Sequence, residues 1–141
     1  MLTTLCALAF AADPPLRHLG TYASGVHDAS ASEIAAYHAP TRTLYVVNGA
    51  AGLDLIDIRD PARPVRRATR PMQGATSVAV HGDIVAVAVP DPKGGRGSIR
   101  LLDPDGVEQS MVTVGHGPDM CTFSRDGSWL VVADEGEASD S

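Results

Sequence analysis

A repeated pattern of short apolar segments constrains the fold of this 141-residue chain more than any other feature. Each copy contains a short strand, a turn, a strongly apolar strand, a glycine-bearing turn and a third strand that ends in aspartate. The first copy ends at Asp57 and the second at Asp103, while a third begins at Met120. Equivalent positions recur after about 40 to 46 residues, close to the length of one four-stranded β-propeller blade. The pattern therefore predicts an all-β protein.

The number of copies predicts an incomplete β-propeller. Two copies are complete and the third is truncated, whereas a closed propeller typically has roughly 4 to 8 blades. We expect about two and a half to three blades of four-stranded antiparallel sheets, at about residues 30–70, 74–115 and 118–141. Residues 13–141 then form the N-terminal part of a propeller domain. An open β-sandwich is the alternative architecture.

The first dozen residues are typical of a signal peptide. An apolar run from Leu2 to Ala12 contains the small-x-small motif Ala9-Phe10-Ala11, which a signal peptidase can cut. The run is too short to span a bilayer, and it lacks the basic residues that usually open a signal peptide. Residues 1–12 are therefore predicted to direct export, so that the protein is periplasmic, secreted or at the cell surface. A buried first strand is the alternative interpretation.

The composition indicates a soluble globular protein and argues against nucleic acid as a partner. Hydrophobic residues make up 44% of the chain and charged residues 20%, and the net charge is -6. Binding to nucleic-acid phosphates requires clustered basic residues, and the basic run from Arg63 to Arg70 has no interleaved aromatic residue for base stacking. We interpret this run as a solvated loop. Cys121 lies in an apolar segment, which predicts a packed thiol rather than a nucleophile.

Several segments of the chain are similar to one known family. The most specific are Gly117-Pro118-Asp119-Met120 and Ala133-Asp134-Glu135-Gly136-Glu137. Weaker matches cover residues 19–22, 31–37, 44–48, 77–80 and 126–127, so the similarity runs from Leu19 to the end of the chain. On these residues the chain resembles the choice-of-anchor I family, although Asp134 stands where the family pattern has asparagine.

The resemblance implies a secreted bacterial β-propeller. It also implies kinship with mesenchyme-specific cell-surface glycoproteins, which are associated with biomineralisation, and with some large, atypical alkaline phosphatases. Membrane attachment is expected only through the family's C-terminal anchoring signal, which is missing from these 141 residues.

Carboxylates are the best candidates for a functional site. Asp134, Glu135 and Glu137 directly follow an apolar strand, and Gly136 allows the chain to turn sharply. Clustered carboxylate oxygens are the ligands that Ca²⁺ and Mg²⁺ prefer. Glu33 and Asp119 adjoin the predicted innermost strands, so we expect them near the same site at the propeller channel. A solvated acidic loop is the alternative, and no organic cofactor is expected.

His116 is interpreted as a surface-loop histidine, and a position within reach of the acidic site is its alternative. Two functions remain open. The first is an exported or cell-surface propeller scaffold that binds an extracellular protein, a glycan or a mineral ion. The alternative is a secreted, metal-dependent, phosphatase-like hydrolase of phosphate esters, in which cations bind the phosphoryl oxygens and activate water. Its site would be incomplete in this chain, which would therefore be inactive by itself.

Overall fold

The computed structural model describes residues 17–24, 32–49 and 51–136. In these ranges the chain forms ten β-strands and no helix. The described residues therefore contain no helix that is long and apolar enough to cross a membrane. The strands, in chain order, are β1 (Ala35–His38), β2 (Thr43–Asn48), β3 (Gly52–Asp57), β4 (Val65–Pro71), β5 (Ser77–His81), β6 (Ile84–Val89), β7 (Arg96–Leu102), β8 (Glu108–His116), β9 (Pro118–Phe123) and β10 (Leu130–Asp134). The predicted signal peptide and Glu137 lie outside the described residues.

The strands form two four-stranded antiparallel sheets and a third sheet of two strands. The first blade contains β1 to β4, the second contains β5 to β8, and β9 pairs with β10. The first strands of the three sheets, β1, β5 and β9, lie side by side, as the innermost strands of propeller blades do around their channel. The predicted all-β fold, a partial β-propeller, is confirmed. The signal-peptide and blade boundaries stay predictions.

Large apolar side chains fill the junction between the first and second blades. Because side chains alternate between the two faces of a strand, β2 directs Tyr45 and Val47 to one face, where they belong to the same buried cluster as Val85 and Val87 of β6. Both blades add further buried side chains to this cluster: Leu53, Leu55, Met72, Ala75, Val78, Val89 and Leu102. The period-2 pattern that predicted strands thus also builds the core.

Small side chains fill the junction between the second and third blades. The opposite face of β6 presents Ala86 and Ala88, which pack with Ile99 of β7 and Cys121 of β9. Cys121 is 4% exposed, and burial raises the pKa of its thiol. The prediction of a packed thiol is confirmed.

The prediction of a solvated loop at the basic run is wrong, because most of this run forms β4, the outermost strand of the first blade. Its backbone pairs with β3, and its polar side chains stabilise a buried carboxylate on that strand. Asp54 is fully buried and accepts a 2.5 Å hydrogen bond from Thr69 Oγ1, while Arg66 Nη1 lies 3.8 Å away. An outermost strand exposes much of its surface, so its composition resembles that of a loop.

Candidate functional site

The described part of the chain does not gather the predicted carboxylates into one metal site. Glu33, Asp119, Asp134 and Glu135 are all exposed, and Glu137 lies outside the described residues. Among the residues that the structure describes, no three His, Cys, Asp or Glu side chains are grouped closely enough to hold a metal ion. Because Glu137 lies outside the described residues, the five-residue site stays a prediction.

Glu33 and Asp119 occupy separate positions. Glu33 directly precedes the first blade, and its backbone N–H donates to the carbonyl of Val47 at 3.2 Å. Asp119 lies on β9 where the register with β10 shifts, since Ala133 pairs with Met120 and the next residue of β10 pairs with Pro118. Asp119 is therefore the extra residue of a β-bulge, a feature that redirects a side chain and interrupts regular pairing.

Asp134 ends β10 and connects the third blade to the second. Its Oδ2 accepts a hydrogen bond from the backbone N–H of Gly115 at 3.1 Å. A Cβ atom at position 115 would lie 2.3 Å from that oxygen, so the approach requires glycine. Part of the capacity of this carboxylate to bind a cation is therefore already used by a structural hydrogen bond.

Glu135 lies at the rim of a cavity of about 310 Å³ between the second and third blades. We call this the acidic cavity, and it is lined by Pro90, Asp91, Gly94, Gly95, His116, Gly117, Glu135 and Gly136. Three chain segments meet there because β6, β8 and β10 all end at the same edge of the molecule. The backbone N–H of Glu135 donates to the carbonyl of Gly117 at 2.9 Å, which fixes the last of these segments against the β8–β9 connection.

His116 is oriented within the acidic cavity by a backbone carbonyl. Its Nδ1 lies 3.0 Å from the carbonyl oxygen of Gly94, and a carbonyl can only accept, so we assign the proton to Nδ1. In the neutral ring Nε2 then carries a lone pair. This arrangement, with one ring nitrogen donating to a carbonyl and the other free to accept, is the one found in histidines that bind metals. The interpretation of His116 as only a surface-loop residue therefore missed this contact.

Asp91 is a residue of the acidic cavity that the sequence did not identify. Its Oδ1 accepts a hydrogen bond from the backbone N–H of Lys93 at 3.0 Å, as expected for an aspartate that opens a turn. A Cβ atom at Gly95 would lie 2.2 Å from Oδ2, so the turn closes tightly around the carboxylate. The sequence signal was an ordinary turn between prolines, which gives no indication that Glu135, from the next blade, lies on the same cavity.

Two four-stranded antiparallel sheets with adjacent first strands, followed by a third sheet, define a β-propeller. The family model described as the choice-of-anchor I domain matches residues 33–141, and the chain belongs to this family. None of the curated proteins matches the chain. Among solved structures, Kuenenia stuttgartiensis Hydrazine Synthase is similar with a TM-score of 0.60 and 21% identity over 82% of this chain. The chain spans 33% of the length of that protein, and the similarity concerns the fold alone.

Proposed function

We propose that this chain is the propeller part of a secreted or cell-surface binding protein, and that its acidic cavity binds a divalent cation. Membership of the choice-of-anchor I family supports the extracellular location. The observation that carries the cation proposal is that Asp91, His116 and Glu135 all line one cavity, with the His116 ring held so that Nε2 can accept. As they stand, the three side chains are not grouped closely enough to hold an ion, so binding requires a side chain to move. Glu135 is exposed, so its side chain can change rotamer to approach a bound ion at little cost.

The donor set also affects which cation is expected. Ca²⁺ and Mg²⁺, the ions expected from the sequence, take oxygen ligands such as the carboxylates of Asp91 and Glu135. An imidazole nitrogen adds affinity mainly for transition metals such as Zn²⁺, whereas Mn²⁺, like Mg²⁺ and Ca²⁺, is suited to carboxylates. We therefore expect His116→Ala to weaken Zn²⁺ binding more than Ca²⁺ binding if His116 is a ligand, and to weaken neither if only the carboxylates are.

Thermal unfolding of the purified chain with each of these cations tests the proposal. A bound cation stabilises the folded state by mass action, so the midpoint should rise with cation concentration. Glu135→Ala and His116→Ala should reduce this rise. Glu33→Ala is the matched control, because Glu33 was included in the predicted site but does not line the acidic cavity.

The outcomes separate the alternatives. No stabilisation by any of the cations, or equal stabilisation of the Glu135→Ala variant, would overturn the cation proposal. If only Glu33→Ala and Asp119→Asn reduce the rise of the unfolding midpoint, the cation binds at the propeller channel, as the sequence predicted. If the same samples hydrolyse a generic phosphomonoester in a cation-dependent manner, the protein is a hydrolase rather than a binding protein.

A further inference from the structure

A second cavity, of about 390 Å³, lies between the first two blades. We call it the basic cavity. It shares Pro90 and Asp91 with the acidic cavity, so the β6–β7 turn separates the two. Its volume is within the range of about 300 to 1,000 Å³ that holds small organic ligands. Apart from Asp91, no residue of the cation proposal lines this cavity.

Two arginines of β7 line the basic cavity. Because side chains alternate along a strand, Arg96, Ser98 and Arg100 lie on one face of β7, and all three line the cavity. Nε of Arg96 donates to the carbonyl of Val114 at 2.8 Å, and Nη1 of Arg100 donates to Oε2 of Glu108 at 2.9 Å. A guanidinium has five N–H donors, so these single contacts leave most of both groups unpaired.

Arg100 contains a specific unsatisfied donor. Its Nε is shielded from solvent and has no hydrogen-bond partner in the structure as described. Burying a donor without an acceptor is costly, and most such groups in proteins are satisfied by another protein group or an ordered water. Nη1 is paired with Glu108, and Nε, which water does not reach as the side chain stands, becomes available to a planar acceptor when the guanidinium shifts.

The rest of the wall combines neutral donors with apolar surface. Ser98, Thr113 and Gln73 supply hydroxyl and amide groups, and Met72 and Met111 supply thioether side chains. Asp91 is the one carboxylate on the wall, and its Oδ1 already accepts from Lys93 N. The wall therefore carries two arginines and one carboxylate, and Glu108, which lies beside the wall, pairs with Arg100.

We infer that the basic cavity binds a small organic anion through a carboxylate, sulfate or phosphate group held by Arg96 and Arg100. The guanidinium fork matches the geometry of these oxyanions, and Ser98 and Thr113 can donate to their remaining oxygens. The apolar side chains of Met72 and Met111 pack against the uncharged part of the ligand. An acidic sugar has this combination of a charged group and a compact body.

Calorimetric titration with glucuronate, inorganic phosphate and inorganic sulfate tests the inference and identifies the anion. Arg100→Met removes the charge while keeping a long side chain, and we expect it to weaken binding about tenfold or more. Arg96→Met should have a similar effect. Arg63→Met is the matched control, because Arg63 is exposed, pairs with Asp60 and does not line the cavity. Circular dichroism verifies that each variant is folded.

Each result has one meaning. Glucuronate binding that both cavity variants weaken supports an acidic sugar, and binding confined to phosphate or sulfate supports the oxyanion site with an inorganic ligand. Absence of binding by any probe overturns the inference. So does binding that survives both cavity substitutions, or that Arg63→Met weakens equally. Because Arg96 and Arg100 do not line the acidic cavity, failure here leaves the cation proposal untouched.

Discussion

The two blade junctions of this chain are held together in different ways. Between the first and second blades, Tyr45, Leu55 and Val87 belong to a cluster of large buried side chains. Between the second and third, Ala86 and Cys121 are among much smaller ones. Apolar burial stabilises by about 25 cal/mol per Å², so the first junction gains more from packing. The comparison shows that one repeat can be joined to its neighbour by either side-chain volume or close backbone approach.

Close approach allows hydrogen bonds to replace packing at the second junction. The backbone N–H of Cys121 donates to Oγ of Ser77 at 3.1 Å, and Oγ1 of Thr76 donates to the carbonyl of Pro118 at 2.7 Å. At the first junction Tyr45 Oη donates to the carbonyl of Pro104 at 2.6 Å. Its apolar centre needs no such bonds.

Equivalent histidines reverse this contrast. His38 ends β1 and His81 ends β5, and each lies against the turn that joins the first two strands of the next blade. Nε2 of His38 lies 3.4 Å from Oδ1 of Asp83, whereas the ring of His81 lies 5.7 Å from that of Phe123 and against Gly127. The same strand position thus makes a polar contact at one junction and an aromatic contact at the other.

The largest effect is expected from deleting packing at the first junction. Leu55 is 1% exposed, so Leu55→Ala should lower the free energy of unfolding by about 2 to 5 kcal/mol. Denaturant unfolding measures this change. Val107→Ala, at an exposed turn residue, should change it by less than about 0.5 kcal/mol. If the two substitutions have equal effects, packing does not dominate the first junction.

The histidine contact at the second junction should give the next effect. Gly127 has a φ of +72°, and a Cβ there would lie 2.1 Å from Nε2 of His81. Gly127→Ala should therefore cost about 2 to 3 kcal/mol, combining backbone strain with steric overlap. Gly82→Ala isolates the strain at about 1 kcal/mol, because its φ is +53° and no atom lies within 4 Å of the added Cβ. Adding His81→Ala to Gly127→Ala should recover the difference; no recovery would show that His81 does not cause it.

Removing one hydroxyl from each junction compares their hydrogen bonds directly. Ser77→Ala leaves the buried N–H of Cys121 without an acceptor, and we expect a loss of about 1 to 2 kcal/mol. Tyr45→Phe leaves the carbonyl of Pro104 without its donor, with a loss of about 1 kcal/mol. Both losses are measured by denaturant unfolding. A larger loss for Tyr45→Phe would reverse the assignment of polar bonding to the second junction.

The smallest effect concerns the exposed β9–β10 turn. Hydrogen bonds from the hydroxyls of Ser124 and Ser128 and from the Ser128 backbone lower the pKa of Asp126 from 3.8 to about 2. A lowered pKa stabilises the folded state above the unfolded value, and this contribution is lost as the pH falls from about 4 toward 2. Carboxyl titration by NMR measures the midpoint, and Ser124→Ala should raise it. A midpoint near 3.8 in the unsubstituted chain would contradict the hydrogen-bonded turn.

The repeat could be predicted from sequence because it depends on local alternation of apolar residues, as in β2 and β6. β4 could not, since Arg66, Arg67 and Thr69 resemble a loop until their pairing with β3 is known. Glu135 was identified from its motif. Asp91 and His116 were not assigned to the site, because the acidic cavity brings them together across separate turns.

The β6–β7 turn has a consequence for binding thermodynamics. Pro90 and Asp91 belong to both cavities, so a ligand that shifts this turn on one side alters the shape offered on the other. Such coupling is reciprocal: the factor by which a cation changes the affinity for an anion equals the factor by which that anion changes the affinity for the cation. A six-residue connection would then serve as the point of communication between two binding equilibria.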